Sequence, residues 1–386
     1  MKFGIFFELS VPRPFGPVNE HLVYSQALEQ CRVADALGFD HVWAVEHHFL
    51  EEYSHCSAPE VFLAAVAAQT SRTRVGHGAV VCVPEMNHPI RVAERAAALD
   101  LVSGGRLEFG TARSSTWTEL GGFRANPDET KATWDEFVRV LPSLWTKDAF
   151  EWRGSCFTMP ERNVLPKPLQ QPHPPMWVTV TTPGTELDAA DRGLGSLGVS
   201  AVSYGEQERR TAEYHRRVQQ CDPVVLVVND QVHTQNFLFC HEDARTAARV
   251  GLPMVMGFNA LNAHLYWTRE AYPTWAYPSL GNLGQALRQA SGDDPSAAKG
   301  LPEGVGIGDP DHLIRVVERW DSMGVDGINF VLDAAGLIAH EQIIESLELF
   351  AREVIPRFRT PEQLAARVQA PTTIPSRVAP RTPAVV

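Results

Sequence analysis

The sequence of 386 residues has no excess of basic residues: Lys and Arg total 34 against 46 acids, a formal net charge of −12. No basic stretch stands out either. This argues against nucleic acid or an anionic membrane surface as the main partner and favours a small molecule. No run reaches the roughly 18 apolar residues that a membrane-spanning helix needs. Met1–Glu8 carries no long apolar segment followed by a cleavage site, so a soluble cytoplasmic protein is expected. The six cysteines, Cys31, Cys56, Cys82, Cys156, Cys221 and Cys240, lie far apart with no Cys-x-x-Cys. They read as reduced thiols, with neither a disulfide framework nor a zinc site.

Several motifs are also missing. No Gly-x-Gly-x-x-Gly follows the first strand, which argues against a Rossmann nicotinamide site. The glycines of 304–308 come late and lack that context. There is no Walker loop, Gly-x-Ser-x-Gly elbow or His-Glu-x-x-His.

What is present is an apolar fraction of 44%, typical of a full globular core, and a steady alternation of strands and helices. Phe3–Phe7 is a continuous apolar run, as expected of a parallel strand buried on both faces. Further strands are predicted at Asp40–Val45, Arg74–Val83, Arg106–Thr111, Met176–Thr181, Leu197–Ser203, Val232–Phe239 and Asp326–Leu332. Helical spacing separates them, with Gly38 placed to stop the first helix and Pro59 and Pro89 to open the next two. Residues 150–175 read as an irregular stretch with a hairpin. Residues 254–304, rich in Tyr, Trp, Pro and Gly, read as an irregular insertion. The tail over 359–386 reads as disordered. Eight strand–helix units point to a closed (β/α)8 TIM barrel over 1–358, although a doubly wound open sheet also reaches that count.

In a barrel the loops that follow the strands build the catalytic face. Strand two ends in Glu46-His47-His48-Phe49, where a histidine can exchange protons near neutrality or simply serve as a bonded structural residue. Gly78 and Ala79 in strand three suit the close approach of a flat ligand, or ordinary packing. Strand four runs into Ala112-Arg113-Ser114-Ser115-Thr116, a planar cation beside hydroxyls suited to a phosphate, or to a surface carboxylate. After strand five, Thr181-Thr182-Pro183-Gly184-Thr185 precedes a helix whose free N–H groups favour an anion, unless Thr185 is an ordinary N-cap.

These segments resemble the bacterial luciferase-like monooxygenases. The resemblance rests on Val42–Phe49, on His88–Glu94 to Asp100, on Ser103–Gly110, on Asp191-Arg192-Gly193 and on Gly308–Asp311. It covers roughly residues 1–355, without much of 254–304 or the tail. It implies a barrel that binds reduced FMN (FMNH2), whose reaction with O2 gives a flavin 4a-hydroperoxide. By position, His47 matches the histidine near the flavin ring that acts as acid or base. Arg113, Thr181, Thr182 and Thr185 match the phosphate contacts, and Ser115, one of the hydroxyls beside Arg113, is a further cofactor-binding candidate. Gly78-Ala79 matches a pair joined by a non-proline cis peptide against the ring. Ala112 stands where luciferases carry a cysteine, which argues against light emission.

His48, Trp117, Phe123, Trp267 and Trp275 are candidate lining for a substrate pocket, with 254–304 as a candidate lid or a loop packed on the rim. With no nicotinamide domain evident, an NAD(P)H:flavin reductase is the expected source of FMNH2. Small residues such as Ala64, Ala67, Ala93 and Ala97 on helices two and three fit the homodimer interface that the resemblance implies, or tight packing on the barrel wall. Three rivals remain: a deazaflavin (coenzyme F420)-dependent oxidoreductase, a metal-dependent hydrolase using His47, His48, His77 and His88, and a non-catalytic flavin-binding protein.

Overall fold

The computed structural model describes residues 1–114, 116–181, 184–199, 203–265, 304–360 and 362–363. Eight parallel strands form a closed ring. They are β1 (Lys2–Phe7), β2 (His41–Ala44), β3 (Arg74–His77), β5 (Leu107–Ala112), β8 (Met176–Val180), β9 (Gly195–Val199), β10 (Val232–Phe237) and β13 (Gly327–Val331). β1 pairs with both β2 and β13, and the β3–β5 pairing, Val75 opposite Leu107, completes the circuit. The sequence-based barrel is therefore the observed one, not the open sheet. Strand three is interrupted: β4 (Val80–Val81) resumes beyond a cis peptide at Gly78–Ala79 and pairs with the end of β5.

The outer layer is α1 (Pro17–Leu37), α2 (Pro59–Gln69), α3 (Pro89–Val102), α5 (Thr130–Thr146), α6 (Thr185–Arg192), α7 (Tyr204–Val218), α8 (Ala244–Leu265), α9 (Pro310–Ser322) and α10 (His340–Glu353). Their ends carry the expected punctuation. Gly38 closes α1 in the left-handed conformation, and Asp309 caps α9 by accepting the His312 N–H at 2.8 Å. A hairpin, β6 (Phe150–Arg153) with β7 (Thr158–Arg162), occupies the stretch predicted for one. Its turn is held by Glu136, which accepts from Trp152 Nε1 and from Ser155 and Cys156 N–H.

The expectation of an irregular stretch from 254 fails at its start, because α8 is helical through Leu265. Pro253 removes one helical hydrogen bond, but Met254, Val255 and Phe258 are buried, and that packing outweighs the lost bond. Two short strands also lie outside the barrel: β11 (Phe239–Cys240) pairs with β12 (Ile307–Gly308). A short helix, α4 (Trp117–Gly122), follows the loop that carries Arg113.

The barrel interior is packed by aromatic and polar side chains. Trp43 and Trp177 meet edge to face at 5.5 Å, and a Cβ on Gly76 would lie 2.2 Å from the Trp43 ring. That close approach is what only glycine permits there. Below them Trp177 Nε1 donates to Glu108 at 2.7 Å, and Glu108 also pairs with Arg74. His41 and His233 complete this floor, their rings 5.1 Å apart. Burial holds both as neutral rings, pushing His233 down to about 3. At the same end Arg359, buried over the Phe3 ring, pairs with Asp40 and donates to the Gly38 carbonyl. All six cysteines are unpaired. Among the described residues no helix is long and apolar enough to cross a membrane.

Candidate active site

The loops at the carboxyl ends of β1, β2, β3, β5 and β8 meet at one mouth of the barrel. His47 lies three residues beyond β2, with its N–H bonded to the Cys56 carbonyl at 2.9 Å. Its Nδ1–H donates to Glu119 Oε1 at 3.0 Å, and its Nε2 faces Glu8 Oε2 at 3.8 Å. Tyr53 packs edge-on against the ring and donates its hydroxyl to Glu8 Oε1 at 3.2 Å.

Glu119 is the anchor of this arrangement. It is fully buried and also accepts from Ser114 Oγ at 2.9 Å, from Thr116 Oγ1 at 2.7 Å and from the His48 N–H at 3.1 Å. Burial alone would raise its pKa, but the charge and hydrogen bond of His47, with the two hydroxyls, hold it below the usual value. His47 answers in kind. Burial disfavours its charge, yet Glu119, followed by Glu8 and Glu46, lifts the imidazole to about 9. Glu8 goes the other way: burial pushes its carboxyl up to about 7, against the pull of His47 and Tyr53. At neutral pH the mouth therefore holds a charged imidazole, one firmly ionised carboxylate and one carboxyl near its midpoint.

The neighbouring residue His48 is directed elsewhere. Its Nε2–H donates to Glu46 Oε1 at 3.2 Å and its ring packs on Phe123 at 5.0 Å. Glu46 also accepts from the Val81 N–H at 2.8 Å and from Asn87 Nδ2 at 2.7 Å, tying the loop after β2 to β4. Trp117 packs with Val81, Val83 and Leu120 in a small satellite cluster. Gly78–Ala79 is cis, as the family resemblance implied, and the Gly78 N–H bonds to the Ala44 carbonyl. The pairing of Val81 with Ala112 brings β4 beside the start of the Arg113 loop.

Arg113 and Thr181 follow β5 and β8, adjacent strands in which Thr111 is level with Val178. Gly184, not Thr185, takes the cap position of α6, in the left-handed conformation. This corrects the alternative of Thr185 as capping residue, since a β-carbon disfavours that conformation. A Cβ added to Gly184 would meet nothing within 4 Å among the described residues. The Gly184 N–H donates to Glu186, whose carboxylate is matched by both arms of Arg210 at 2.8 and 2.7 Å. The Glu186 charge at this helix start is thereby balanced by Arg210.

Ser115, Thr182, Trp267 and Trp275 lie outside the described residues, as does 266–303 of the candidate lid. The four histidines of the metal reading do not converge. His77 stacks edge-on to Phe109, and His88 caps α3 by accepting the Ile90 N–H. Among the described residues no cluster of three or more His, Cys, Asp or Glu could hold a metal.

Sequence reasoning passed over Glu8, Tyr53 and Glu119. Glu8 directly follows β1, the same kind of position that marked His47. Thr116-Trp117-Thr118-Glu119 has the spacing of a capping box, and Thr116 does cap α4 through the Glu119 N–H. The Glu119 carboxylate, however, turns to the histidine.

This chain belongs to the luciferase-like monooxygenase family, whose model it matches over residues 1–327. It is 27% identical over 369 residues to the oxygenase component of flavin-dependent trigonelline monooxygenase from Acinetobacter baylyi, covering 93% of this chain and 96% of that one. It is 26% identical over 381 residues to an alkanal monooxygenase alpha chain from Photorhabdus luminescens, covering 95% and 99%. Among solved structures, the monooxygenase RslO1 from Streptomyces bottropensis superposes with a TM-score of 0.75 at 26% identity, covering 93% of this chain and all of that one. The chain is accordingly an oxidoreductase of the flavin-dependent monooxygenase class.

Proposed function

We propose that this chain is the oxygenase of a two-component system: it uses FMNH2 and O2 to oxygenate a small organic substrate, and a separate NAD(P)H:flavin reductase delivers the reduced flavin. The observation that carries the reading is a histidine held charged between two buried carboxyl groups, at the same barrel mouth as the loops after β5 and β8. The relative named as an oxygenase component supports a separate reductase.

The residues present fit FMN. Arg113 with Thr181, Thr182 and Thr185 would hold the phosphate, and Gly78–Ala79 and Ala112 would lie along the ring. Reduced flavin supplies the electrons that activate O2. The chain's own part is to orient, to exclude water and to place a proton: His47 Nε2–H is a donor facing the mouth, and Glu119 keeps it one. The exposed Val61, Leu101, Val102, Ala68 and Ala98 on α2 and α3 support a homodimer through that face.

The test is a titration of the protein with FMN, followed by flavin fluorescence, in wild type and Arg113→Ala. Loss of one charge-assisted phosphate contact of about 1.5–3 kcal/mol predicts roughly 10- to 100-fold weaker binding. Unchanged affinity would remove Arg113 from the phosphate site. Binding of a deazaflavin but not FMN would move the assignment to the F420-type oxidoreductases.

A further inference from the structure

Among the described residues, Glu8 is the acid at this mouth that has a buried oxygen without a hydrogen bond. Its Oε1 takes the Tyr53 hydroxyl, while Oε2 is buried without a hydrogen-bond partner and stands 3.8 Å from His47 Nε2. That gap is too long for a direct hydrogen bond and suits one bridging oxygen atom. An orphaned buried carboxylate oxygen is costly unless a ligand completes it. An acceptor and a donor that converge on one point select a group able both to donate and to accept, which is a hydroxyl.

We propose that Glu8 is the proton acceptor of this site: Oε2 takes the proton of a weakly acidic O–H on the substrate, and His47 Nε2–H stabilises the oxyanion left behind. The substrate O–H bond breaks and an O–H bond forms on Glu8. No electrons leave either partner, and the negative charge moves from the carboxylate to the substrate oxygen beside the imidazolium. The substrate class is a phenol or an enol, whose oxyanion is within reach of a carboxylate that burial holds near neutrality. An electron-rich oxyanion is also the better target for oxygen transfer. The inference rests on reading this mouth as the reactive centre.

The surroundings agree. The titratable groups that face Glu8 are His47 and Tyr53, with Glu119 beyond the imidazole, Glu46 preceding it and Cys56 nearby. His47 keeps its proton up to about 9, so it stays a donor where Glu8 exchanges. The Cys56 thiol is pushed far up by burial and stays neutral. Ser54 Oγ donates to the Glu8 carbonyl at 2.6 Å, fixing the backbone from which the carboxyl projects.

Infrared difference spectra of the full chain across neutral pH test the first half. A protonated-carboxyl component should fade as the pH rises through about 7 and be lost in Glu8→Gln, leaving that of Asp333, which burial raises to about 6. In Tyr53→Phe, which retains the carboxyl, its midpoint should move up, because the hydroxyl bonds to the charged form. 4-Nitrophenol as probe tests the second half: its absorbance should shift to the phenolate form on binding to wild type and not to Glu8→Gln. A carboxyl component titrating near 7 that is unchanged in Glu8→Gln, no such component at all, or nitrophenol left un-ionised on the wild type each overturns the inference. FMN that fails to bind while the Glu8 band is intact would strike the flavin reading alone.

Discussion

Replacing Glu119 by Gln should release the proton that His47 holds. The carboxylate gives the imidazole both a charge and a hydrogen bond at 3.0 Å, and these overcome the burial that otherwise disfavours the imidazolium. Raising the group from its ordinary 6.5 to about 9 corresponds to about 3 kcal/mol of preference for the charged form. Because the folded state holds this proton more tightly than the unfolded chain, the stabilisation is complete below pH 6.5 and is lost as the pH rises through about 9. Gln keeps the shape and one acceptor oxygen but not the charge, so burial regains the upper hand. Side-chain 15N NMR should find His47 charged at neutral pH in wild type and neutral in Glu119→Gln. Chemical denaturation at neutral pH should show a loss of up to about 3 kcal/mol, shrinking toward zero above the His47 midpoint. A wild-type His47 that titrates near its ordinary value, or one indifferent to Glu119→Gln, refutes the reasoning.

Other consequences can be checked on the purified protein. His77 and His233 are neutral in the fold, each pushed by burial to about 3. The unfolded chain binds those protons first, so stability should fall as the pH drops below 6.5, and His233→Phe should blunt that fall in an acid-denaturation series. Gly76→Ala drives a methyl to 2.2 Å from the Trp43 ring and should cost about 1–3 kcal/mol in urea, with quenched or shifted tryptophan fluorescence. Arg359→Ala removes the cation that pairs with Asp40 and lies over Phe3, while Asp40 keeps the Phe3 N–H at 2.7 Å. It should cost about 3 kcal/mol, which a drop in melting temperature would report.

The barrel was largely legible because a parallel strand buried on both faces is written as a continuous apolar run. Phe3–Phe7 and Ile328–Leu332 leave little other choice. Strand ends were legible enough to mark His47 and Arg113. What escaped was set by tertiary contacts. Pro253 looks like a stop until Met254, Val255 and Phe258 are seen to be buried. Glu8 and Glu119 look like ordinary surface acids, since nothing in one sequence says that a carboxylate will face a histidine across 39 or 72 residues. The burial that gives these acids their character is a property of the closed barrel, not of the local chain.

The central claim is oxygen activation by reduced flavin in this mouth, and stopped-flow absorbance tests it most directly. The protein is mixed anaerobically with FMNH2 and then with O2. The account predicts a transient absorbing species that outlasts the reoxidation of free FMNH2 and is shortened in His47→Ala and Arg113→Ala. Reoxidation at the rate of free FMNH2, with stoichiometric hydrogen peroxide and no effect of either substitution, would contradict it.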